Sequence, residues 1–317
     1  MESSRKKLCL RIGTRGSRLA LQQTALARQA VQQHYPQAEV QIQIIHTTGD
    51  KILDKGLSEI GEKGLFTGEL EQGLMQGSID LAVHSMKDLP GDLPEPFTLA
   101  AVLPRENPSD VLISPCAGTI QDLPAGAVIG TSSLRRSAQL KYLRPDIQIV
   151  SLRGNIETRI RKMYEQHLDG ILLAWAGLHR LGIQDCPARI IPLEDVLPAV
   201  GQGIIAIEMR RDSPLLELVS KLNDPITYQC AAAERAFLKR LEGGCQIPLA
   251  ALAQYKNGQL YFQARVVQRE GRERFEHKQA GYAAEAEKIG IQTAEILLRQ
   301  GAGKILDEIR LQTGGTL

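Results

Sequence analysis

The sequence predicts an α/β protein with a doubly wound parallel sheet, followed by a smaller α+β region. Short apolar strands alternate with helices over the first two hundred residues or so, a pattern typical of parallel sheets covered by helices on both faces. The remaining part instead places two consecutive strands between helices. At 317 residues the chain is too long for one typical hydrophobic core, so we expect two or three domains.

The chain begins with an apolar strand and a polar turn. Ser17, which ends the turn, is expected to cap the next helix, because a serine hydroxyl can accept a hydrogen bond from a free backbone N–H. Alternating apolar residues then predict a strand, and apolar residues at four-residue spacing predict a second helix. The expected elements are strand 8–12, a helix from Ser17 to about Gln33, strand 40–44, helix 65–76 and strand 79–83.

Two stretches rich in proline or glycine are expected to cross between domains, at 90–108 and 198–203. The elements expected between them are strands 127–129, 147–151 and 171–173, with helices after Arg136 and through His167. The final part is expected to contain helix 227–241, a hairpin of strands 249–255 and 260–268, and helix 283–299.

Composition argues against several classes of function. The chain has 38 basic and 36 acidic residues, so it has no broad positive charge for nucleic acid or a membrane surface, and only 4% of its residues are aromatic. Five cysteines occur without a Cys-x-x-Cys pair, and the histidines lack metal spacing. We find no apolar run long enough for a signal peptide or a membrane span, so we expect a cytoplasmic protein, by default a monomer.

Arginines follow several of the predicted strands. Arg15, the pair Arg135 and Arg136, and Arg153 with Arg159 lie on strand-to-helix turns, which in open α/β sheets border the ligand site. Helix N-termini repel cations, so arginines gathered there indicate a bound anion, and guanidinium groups bind carboxylates with two hydrogen bonds. The alternative is that each arginine is a surface residue paired with an acid.

Two further residues are candidates for chemistry. Asp88 follows Lys87 at the end of a buried strand, where an acid beside a base could transfer protons or stabilise charge. It also precedes Pro90 by two residues, so an ordinary surface turn is an alternative. Cys245 follows a double glycine on an accessible loop, as an attachment or nucleophilic cysteine requires, although an unremarkable free thiol is also possible.

The ordered set of these segments resembles the porphobilinogen deaminase, or hydroxymethylbilane synthase, family. Each segment is weak alone, but their order along the chain up to about residue 250 is highly specific. The segments are Arg11 to Ser17, Thr48 to Asp50, Gly61 to Phe66, Ala82 to Pro90, Gly130 to Arg136, Ser151 to Asn155 with Thr158 and Arg159, Ala176 to Gly182, Pro198 to Gly203, and Leu241 to Pro248.

The resemblance implies three domains. Two of them are similar to the domains of type II periplasmic solute-binding proteins, and the third is a small α+β domain. Domain 1 would comprise residues 1–103 and 203–221 and contain Asp88, domain 2 would comprise 104–202, and domain 3 would comprise 222–317 and carry Cys245.

The resemblance also implies a dipyrromethane cofactor joined to Cys245 by a thioether. Four porphobilinogen molecules would be condensed head to tail on it, with loss of ammonia, and released by hydrolysis as hydroxymethylbilane. Asp88 would face the pyrrole N–H groups, stabilise developing positive charge and relay protons. Residues implied to bind the cofactor are Lys87, Ser85, Thr131, Ser133, Arg135, Arg136, Arg153 and Gly154; those implied to bind substrate are Arg15, Ser17, Lys63, Arg153, Arg159 and Arg180.

Two other functions are weighed against this one. A non-catalytic solute receptor of similar fold would explain the arginines, but it would not need Cys245 and would normally carry a secretory signal. A nucleic-acid binder would use the arginine pair, but the balanced charge and the few aromatic residues count against it. No metal and no protein partner is expected.

Overall fold

The structure, a computed structural model, describes residues 8–47, 67–241 and 247–312. Its strands in these ranges are β1 Cys9–Thr14, β2 Glu39–Ile44, β3 Leu81–Ser85, β4 Phe97–Val102, β5 Asp110–Ile113, β6 Val128–Gly130, β7 Gln148–Val150, β8 Gly170–Ala174, β9 Ala188–Ile190, β10 Ile205–Arg210, β11 Leu249–Lys256, β12 Gln259–Val267 and β13 Arg274–Gly281. Its helices are α1 Arg18–His34, α2 Gly68–Met75, α3 Leu134–Leu143, α4 Ile156–Glu165, α5 Trp175–Leu181, α6 Leu216–Ser220, α7 Pro225–Arg240, α8 Ala286–Leu297 and α9 Gly303–Gln312.

The strands form two five-stranded sheets and one three-stranded sheet. The first sheet has the order β2-β1-β3-β10-β4, and the second has the order β7-β6-β8-β5-β9. The two sheets therefore share one strand order. In each, the strand that follows a crossing between the sheets lies next to an inner parallel strand: β10 lies beside β3, and β5 lies beside β8. The third sheet is the meander β11-β12-β13, packed against α7 and α8. This α/β architecture with a small α+β unit is the fold class expected from the sequence.

The two larger sheets are mixed, not wholly parallel as the alternation of strands and helices predicted. Strands β1, β2 and β3 are parallel, but β10 runs antiparallel to both β3 and β4. The second sheet repeats this arrangement, with β5 antiparallel to β8 and β9. The strands inserted by the crossings are the ones that reverse direction, which a local sequence pattern does not reveal.

The first crossing is shorter than the proline- and glycine-rich stretch 90–108 predicted. That stretch contains β4, whose apolar residues pair with β10, so the connection between the sheets begins only after Val102. Strands β5, β9, β10 and β13 and helix α5 were also not predicted as separate elements. Strands β5 and β9 and helix α5 are short, β10 joins its sheet through distant pairing, and the sequence of β13 is mostly polar. The last predicted helix ends near Leu297, and Gly301 (φ 116°) separates it from α9.

Each sheet has its own apolar core. Leu10, Ile12 and Ile207 are fully buried in the first, and Ile129 is fully buried in the second. In the third, Phe237 of α7 packs edge to face on Phe262 of β12, with ring centroids 5.8 Å apart. Among the described residues, no helix has both the length and the apolar character needed to cross a membrane.

A buried carboxylate joins the third sheet to both crossings. Glu234 of α7 accepts hydrogen bonds from the guanidinium of Arg105 (2.5 Å) and from the backbone N–H groups of Gly201 (2.6 Å) and Ala253 (2.8 Å). Arg105 lies on the first crossing, Gly201 on the second and Ala253 on β11. A side chain at Gly203 would collide with the carbonyl oxygen of Glu106, so glycine is required where the two crossings touch.

Candidate active site

Four turns bring the predicted residues to the carboxyl ends of strands. Arg15 and Ser17 follow β1, and Ser85, Lys87 and Asp88 lie at the end of β3 and in the short 3-10 turn after it. In the second sheet, one turn follows β6 and another follows β7. These two turns carry Thr131, Ser133, Arg135 and Arg136, and Arg153, Gly154 and Arg159.

The turns after β1 and β3 enclose a cleft of about 60 Å³. Arg15, Ser17, Ser85 and Asp88 line it, so these four predicted residues lie together. Ser17 caps α1 as expected, since its Oγ accepts a hydrogen bond from the N–H of Ala20 (3.2 Å). A larger and more open cavity of about 300 Å³ lies beside Cys116 and Arg189, and none of the predicted site residues lines it.

Gln23 is a cleft residue that the sequence reading missed. Its amide donates to the hydroxyl of Ser85 (2.8 Å) and lines the cleft beside Asp88. Gln23 is 3% exposed although it is polar. A glutamine in register with the apolar residues Ala27 and Val31 of the helix is the signal that could have identified it.

Asp110 is a second residue that the sequence reading missed, and it organises the arginine pair. Its carboxylate lies 2.6 Å from Nη1 of Arg135, 2.8 Å from Nη2 of Arg136 and 3.2 Å from Nε of Arg136, and it also accepts a hydrogen bond from the amide of Gln202 (2.9 Å). Burial alone would raise the pKa of Asp110, but the two guanidinium groups outweigh it and hold that pKa well below its usual range. An acid opening the apolar strand Asp-Val-Leu-Ile was the available signal.

The hydrogen bonds to Asp110 also fix where the arginine pair points. Both arginines are buried, at 6% and 5% exposed, on the first turn of α3. Ser133 caps this helix by accepting from the N–H of Arg136, and its own N–H donates to the hydroxyl of Thr131. The turn after β6 is therefore held by its own side chains before any ligand binds.

Lys87 has an electrostatic environment that links the two sheets. Burial lowers the pKa of its ammonium group to about 8, Asp88 opposes that shift, and Arg136 and Arg135 reinforce it. Lys87 belongs to the first sheet and the two arginines to the second, so cations of both sheets are close enough to repel one another. A polyanion bound among them would relieve their mutual repulsion.

Lys87 is expected to react with an acylating reagent with a midpoint near pH 8 in the ligand-free protein. An ordinary lysine has a pKa of about 10.4, and only the neutral amine is nucleophilic. Because the folded-state pKa is lowered, the free energy of unfolding should also rise as pH increases from about 8 to about 10.4. Peptide mapping after brief labelling at a series of pH values measures the midpoint, with surface lysines as internal references. A midpoint near pH 10 for Lys87 would contradict this environment.

The turn after β7 contributes two arginines and a strained glycine. Gly154 has φ 122°, and a Cβ there would collide with Thr158. Its carbonyl accepts a hydrogen bond from Nε of Arg159 at 2.7 Å. Burial lowers the pKa of Arg159 to about 10, with Arg136 and Arg153 adding to the shift and Asp88 opposing it. Arg159 is thus close enough to interact electrostatically with Arg153, Arg136 and Asp88.

Arg180 lies apart from this cluster in the described contacts. It is on α5, and its Nη2 donates to the carbonyl oxygen of Gly203 at 2.7 Å, on the second crossing. Burial lowers its pKa and Glu106 opposes the shift. Lys63 and Cys245 were also predicted as site residues, and both lie outside the described residues. Within the described ranges, no group of three or more His, Cys, Asp or Glu residues could hold a metal ion.

The fold and the site together define the class of protein. It is an α/β protein with two similar sheets, in which Asp88 lines a cleft of the first sheet together with Arg15 and interacts electrostatically with Arg159, which follows the second sheet's strand β7. Comparison with known proteins identifies the family. The model described as "Porphobilinogen deaminase, dipyromethane cofactor binding domain" matches residues 10–217, and the one described as "Porphobilinogen deaminase, C-terminal domain" matches residues 228–299.

Individual relatives agree with the family models. The chain is 51% identical over 302 residues to a porphobilinogen deaminase of Syntrophomonas wolfei, covering 95% of this chain and 99% of the relative. It is 48% identical over 301 residues to one of Syntrophobacter fumaroxidans, covering 95% of this chain and 97% of the relative. The chain belongs to the porphobilinogen deaminase family.

Family membership confirms the resemblance found in the sequence. The chain is an enzyme of tetrapyrrole synthesis, and its cofactor is dipyrromethane. The solute-receptor alternative is not supported, because relatives that match nearly the whole chain are porphobilinogen deaminases.

Among solved structures, the chain is similar to an OxyR2 regulatory domain of Vibrio vulnificus (19% identity, 70% of this chain, 99% of that chain, TM-score 0.42).

Proposed function

We propose that this chain is a transferase that condenses four porphobilinogen molecules head to tail on a dipyrromethane attached to Cys245. Ammonia is released at each condensation, and hydrolysis finally releases hydroxymethylbilane. The observation that carries this proposal is that Asp88, which lines a cleft with Arg15 of the first sheet, also interacts electrostatically with Arg159 of the second. A pyrrole chain bears an acetate and a propionate on every ring, so it suits cations on the turns of both sheets. Its pyrrole N–H groups suit a carboxylate such as that of Asp88.

The cations of the cleft suit the carboxylates of the cofactor. Arginine binds a carboxylate through two hydrogen bonds, and several arginines are already buried and oriented here, so little side-chain entropy is lost on binding. When bound, the dipyrromethane supplies the free pyrrole carbon to which each new unit is joined. We assign its binding to Lys87, Ser85, Thr131, Ser133, Arg135, Arg136, Arg153 and Gly154.

Substrate binding is assigned to the residues around Asp88 and to those on the turn after β7. Arg15 and Ser17 line the cleft beside Asp88, and Arg159 interacts electrostatically with it. Arg153 serves both cofactor and substrate in this assignment, and Lys63 and Arg180 complete the substrate set.

We assign to Asp88 the catalytic work. Its carboxylate accepts hydrogen bonds from pyrrole N–H groups, stabilises positive charge that develops when ammonia leaves, and transfers protons. Lys87 and Arg159 both lie close enough to interact electrostatically with it.

We also propose the division into three domains given above: 1–103 with 203–221, 104–202, and 222–317. The strand order supports it, because β10 returns to the first sheet after the second crossing. The enzyme is proposed to be a cytoplasmic monomer that uses no metal, nucleic acid or membrane. The near balance of basic and acidic residues supports this part of the proposal.

The attachment is tested by Cys245→Ser. The purified wild-type protein is expected to exceed the mass of the bare chain by one dipyrromethane, and Cys245→Ser is expected to have the mass of the bare chain, because serine cannot form the thioether. Intact-mass spectrometry measures both. Cys116→Ser, which removes an exposed free cysteine, is the matched control and should retain the adduct. An unmodified wild type, or an adduct that survives Cys245→Ser, would refute the attachment.

A further inference from the structure

A buried arginine of the third sheet makes most of its contacts outside that sheet. Arg265 of β12 is 2% exposed, and its Nε donates to Glu276 of β13 (2.9 Å). The two terminal nitrogens reach the second domain, where Nη1 donates to Oε1 of Gln139 (2.8 Å) and Nη2 donates to the carbonyl of Glu194 (2.9 Å). Burying a guanidinium is costly unless each donor is met, so these contacts hold the third sheet against α3.

Gln139, which binds Arg265, is also hydrogen-bonded to residues near the arginine pair. It is 2% exposed and lies one turn after Arg135 on α3. Its Oε1, which binds Arg265, also accepts from the N–H of Leu197 (2.9 Å), and its Nε2 donates to the carbonyl of Leu197 (3.0 Å) and to that of Arg135 (3.3 Å). The hydrogen bonds that this side-chain amide accepts and donates therefore join the third sheet, α3 and the start of the second crossing.

The carbonyl of Leu197 carries the connection to the arginine pair. It accepts from Nη1 of Arg135 at 2.8 Å, and the same nitrogen donates to Asp110 at 2.6 Å. Both hydrogen bonds come from Nη1 of Arg135, and together they orient its guanidinium. Leu197 and Asp110 are 0% exposed, which makes the series Arg265, Gln139, Leu197, Arg135, Asp110 continuous and buried.

We propose that Gln139 and Arg265 are positioning residues that set the guanidinium of Arg135 from the third domain. This inference rests on the proposed function, in which Arg135 binds a cofactor carboxylate and the third domain carries Cys245. One hydrogen-bonded series then joins the domain that carries the covalent anchor to one of the cofactor's carboxylate ligands. The proposal goes beyond simple docking, because apolar contacts alone would join the third domain without orienting Arg135.

The test is Gln139→Glu, which separates docking from positioning. A glutamate keeps the acceptor for Arg265 and for the N–H of Leu197, but it removes the amide donor and turns an oxygen toward the carbonyls of Leu197 and Arg135. The matched control is Gln279→Glu in the third sheet, where the amide donates to the carbonyl of Ile289 (2.7 Å) and to Thr293 (2.9 Å), and neither partner belongs to the arginine pair.

Three measurements are compared between the two variants: thermal midpoint, the fraction of purified chains that carry the adduct, and KM and kcat for porphobilinogen. A comparable loss of thermal stability is expected in both. Gln139→Glu alone is expected to lower the adduct fraction and to slow its assembly on apoprotein by about tenfold, since about two hydrogen bonds that orient a charged group are lost. If both variants load equally, the positioning role is refuted.

Arg265→Lys is a second test, because lysine keeps the positive charge but lacks the several N–H donors of the guanidinium group. It is expected to slow cofactor assembly as Gln139→Glu does, and the double variant should be less impaired than the product of the two single effects, because both act on Arg135 through one series. Multiplicative effects would overturn the series. If Gln139→Glu does not yield folded protein, Arg265→Lys alone decides the question, because a normal rate of cofactor assembly in that variant refutes the positioning role. An adduct on wild type with no difference among variants refutes only this inference, whereas no adduct on any of them refutes the proposed function.

Discussion

Asp88→Ala is expected to retain the cofactor adduct and to lose turnover by about 10²- to 10⁴-fold. The magnitude is that of a positioned group that transfers protons or stabilises charge in the transition state. Assembly of the cofactor depends on Cys245 and on the cations of the cleft, so the adduct should survive in purified protein. Ammonia release per chain measures turnover, and intact-mass spectrometry measures the adduct.

A nearby acid provides the control for this experiment. Asp92 is four residues further along, exposed, and 2.9 Å from Lys239. Asp92→Ala removes the same charge from the same segment but does not alter the cleft that Asp88 lines, so its turnover should be close to that of the wild type. Near-normal ammonia release by Asp88→Ala would rule out the role assigned to Asp88.

Asp110→Asn is expected to destabilise the protein by about 3–5 kcal/mol, the cost typical of removing one partner from a buried ion pair. Arg135 and Arg136 would keep their buried positive charges without the carboxylate that compensates them. The adduct fraction should fall as well, because the same carboxylate orients both guanidinium groups. Urea unfolding at neutral pH measures the free energy, and the matched control Asp146→Asn, which removes an exposed carboxylate 2.7 Å from Arg144, should change it little.

Acid provides a second readout for Asp110. Its folded-state pKa is lowered, so its contribution to stability is present above the pKa of an unfolded aspartate, about 3.9, and is lost as pH falls below that value. The wild type should therefore lose free energy of unfolding between about pH 5 and the acid limit, and Asp110→Asn should lose less over the same window. Equal acid sensitivity of the two proteins would show that Asp110 does not carry this stability.

The sequence predicted the elements whose signals are local. The cap at Ser17, the helices α1 and α7 and the hairpin of β11 and β12 follow from capping, periodicity and turn chemistry within one segment. Strand β10 could not be placed in this way, because its partners are more than a hundred residues earlier in the chain and it runs antiparallel to them. Proline and glycine around β4 likewise obscured a strand that only pairing with β10 defines.

The site was predictable where a residue type is unusual for its position. Arginines at helix N-termini conflict with ordinary structural preferences, and the structure places Arg15 with Ser17, Ser85 and Asp88 around one cleft. Asp110 and Gln139 were missed because each is ordinary in its own segment. Their importance arises from side chains that the fold brings from 25 and 126 residues away.

The position of β10 has a consequence for how the chain acquires its structure on the ribosome. All five strands of the second sheet come from one continuous stretch between Asp110 and Ile190, whereas the first sheet lacks an inner strand until Arg210 has been synthesised. At roughly 5–20 residues per second, β4 emerges about 5–20 s before the strand that must lie between it and β3. The second sheet is therefore the first that can be completed, although its strands are encoded after β1 to β4. Until β10 is synthesised, the edges of β3 and β4 that will pair with it have no partner strand.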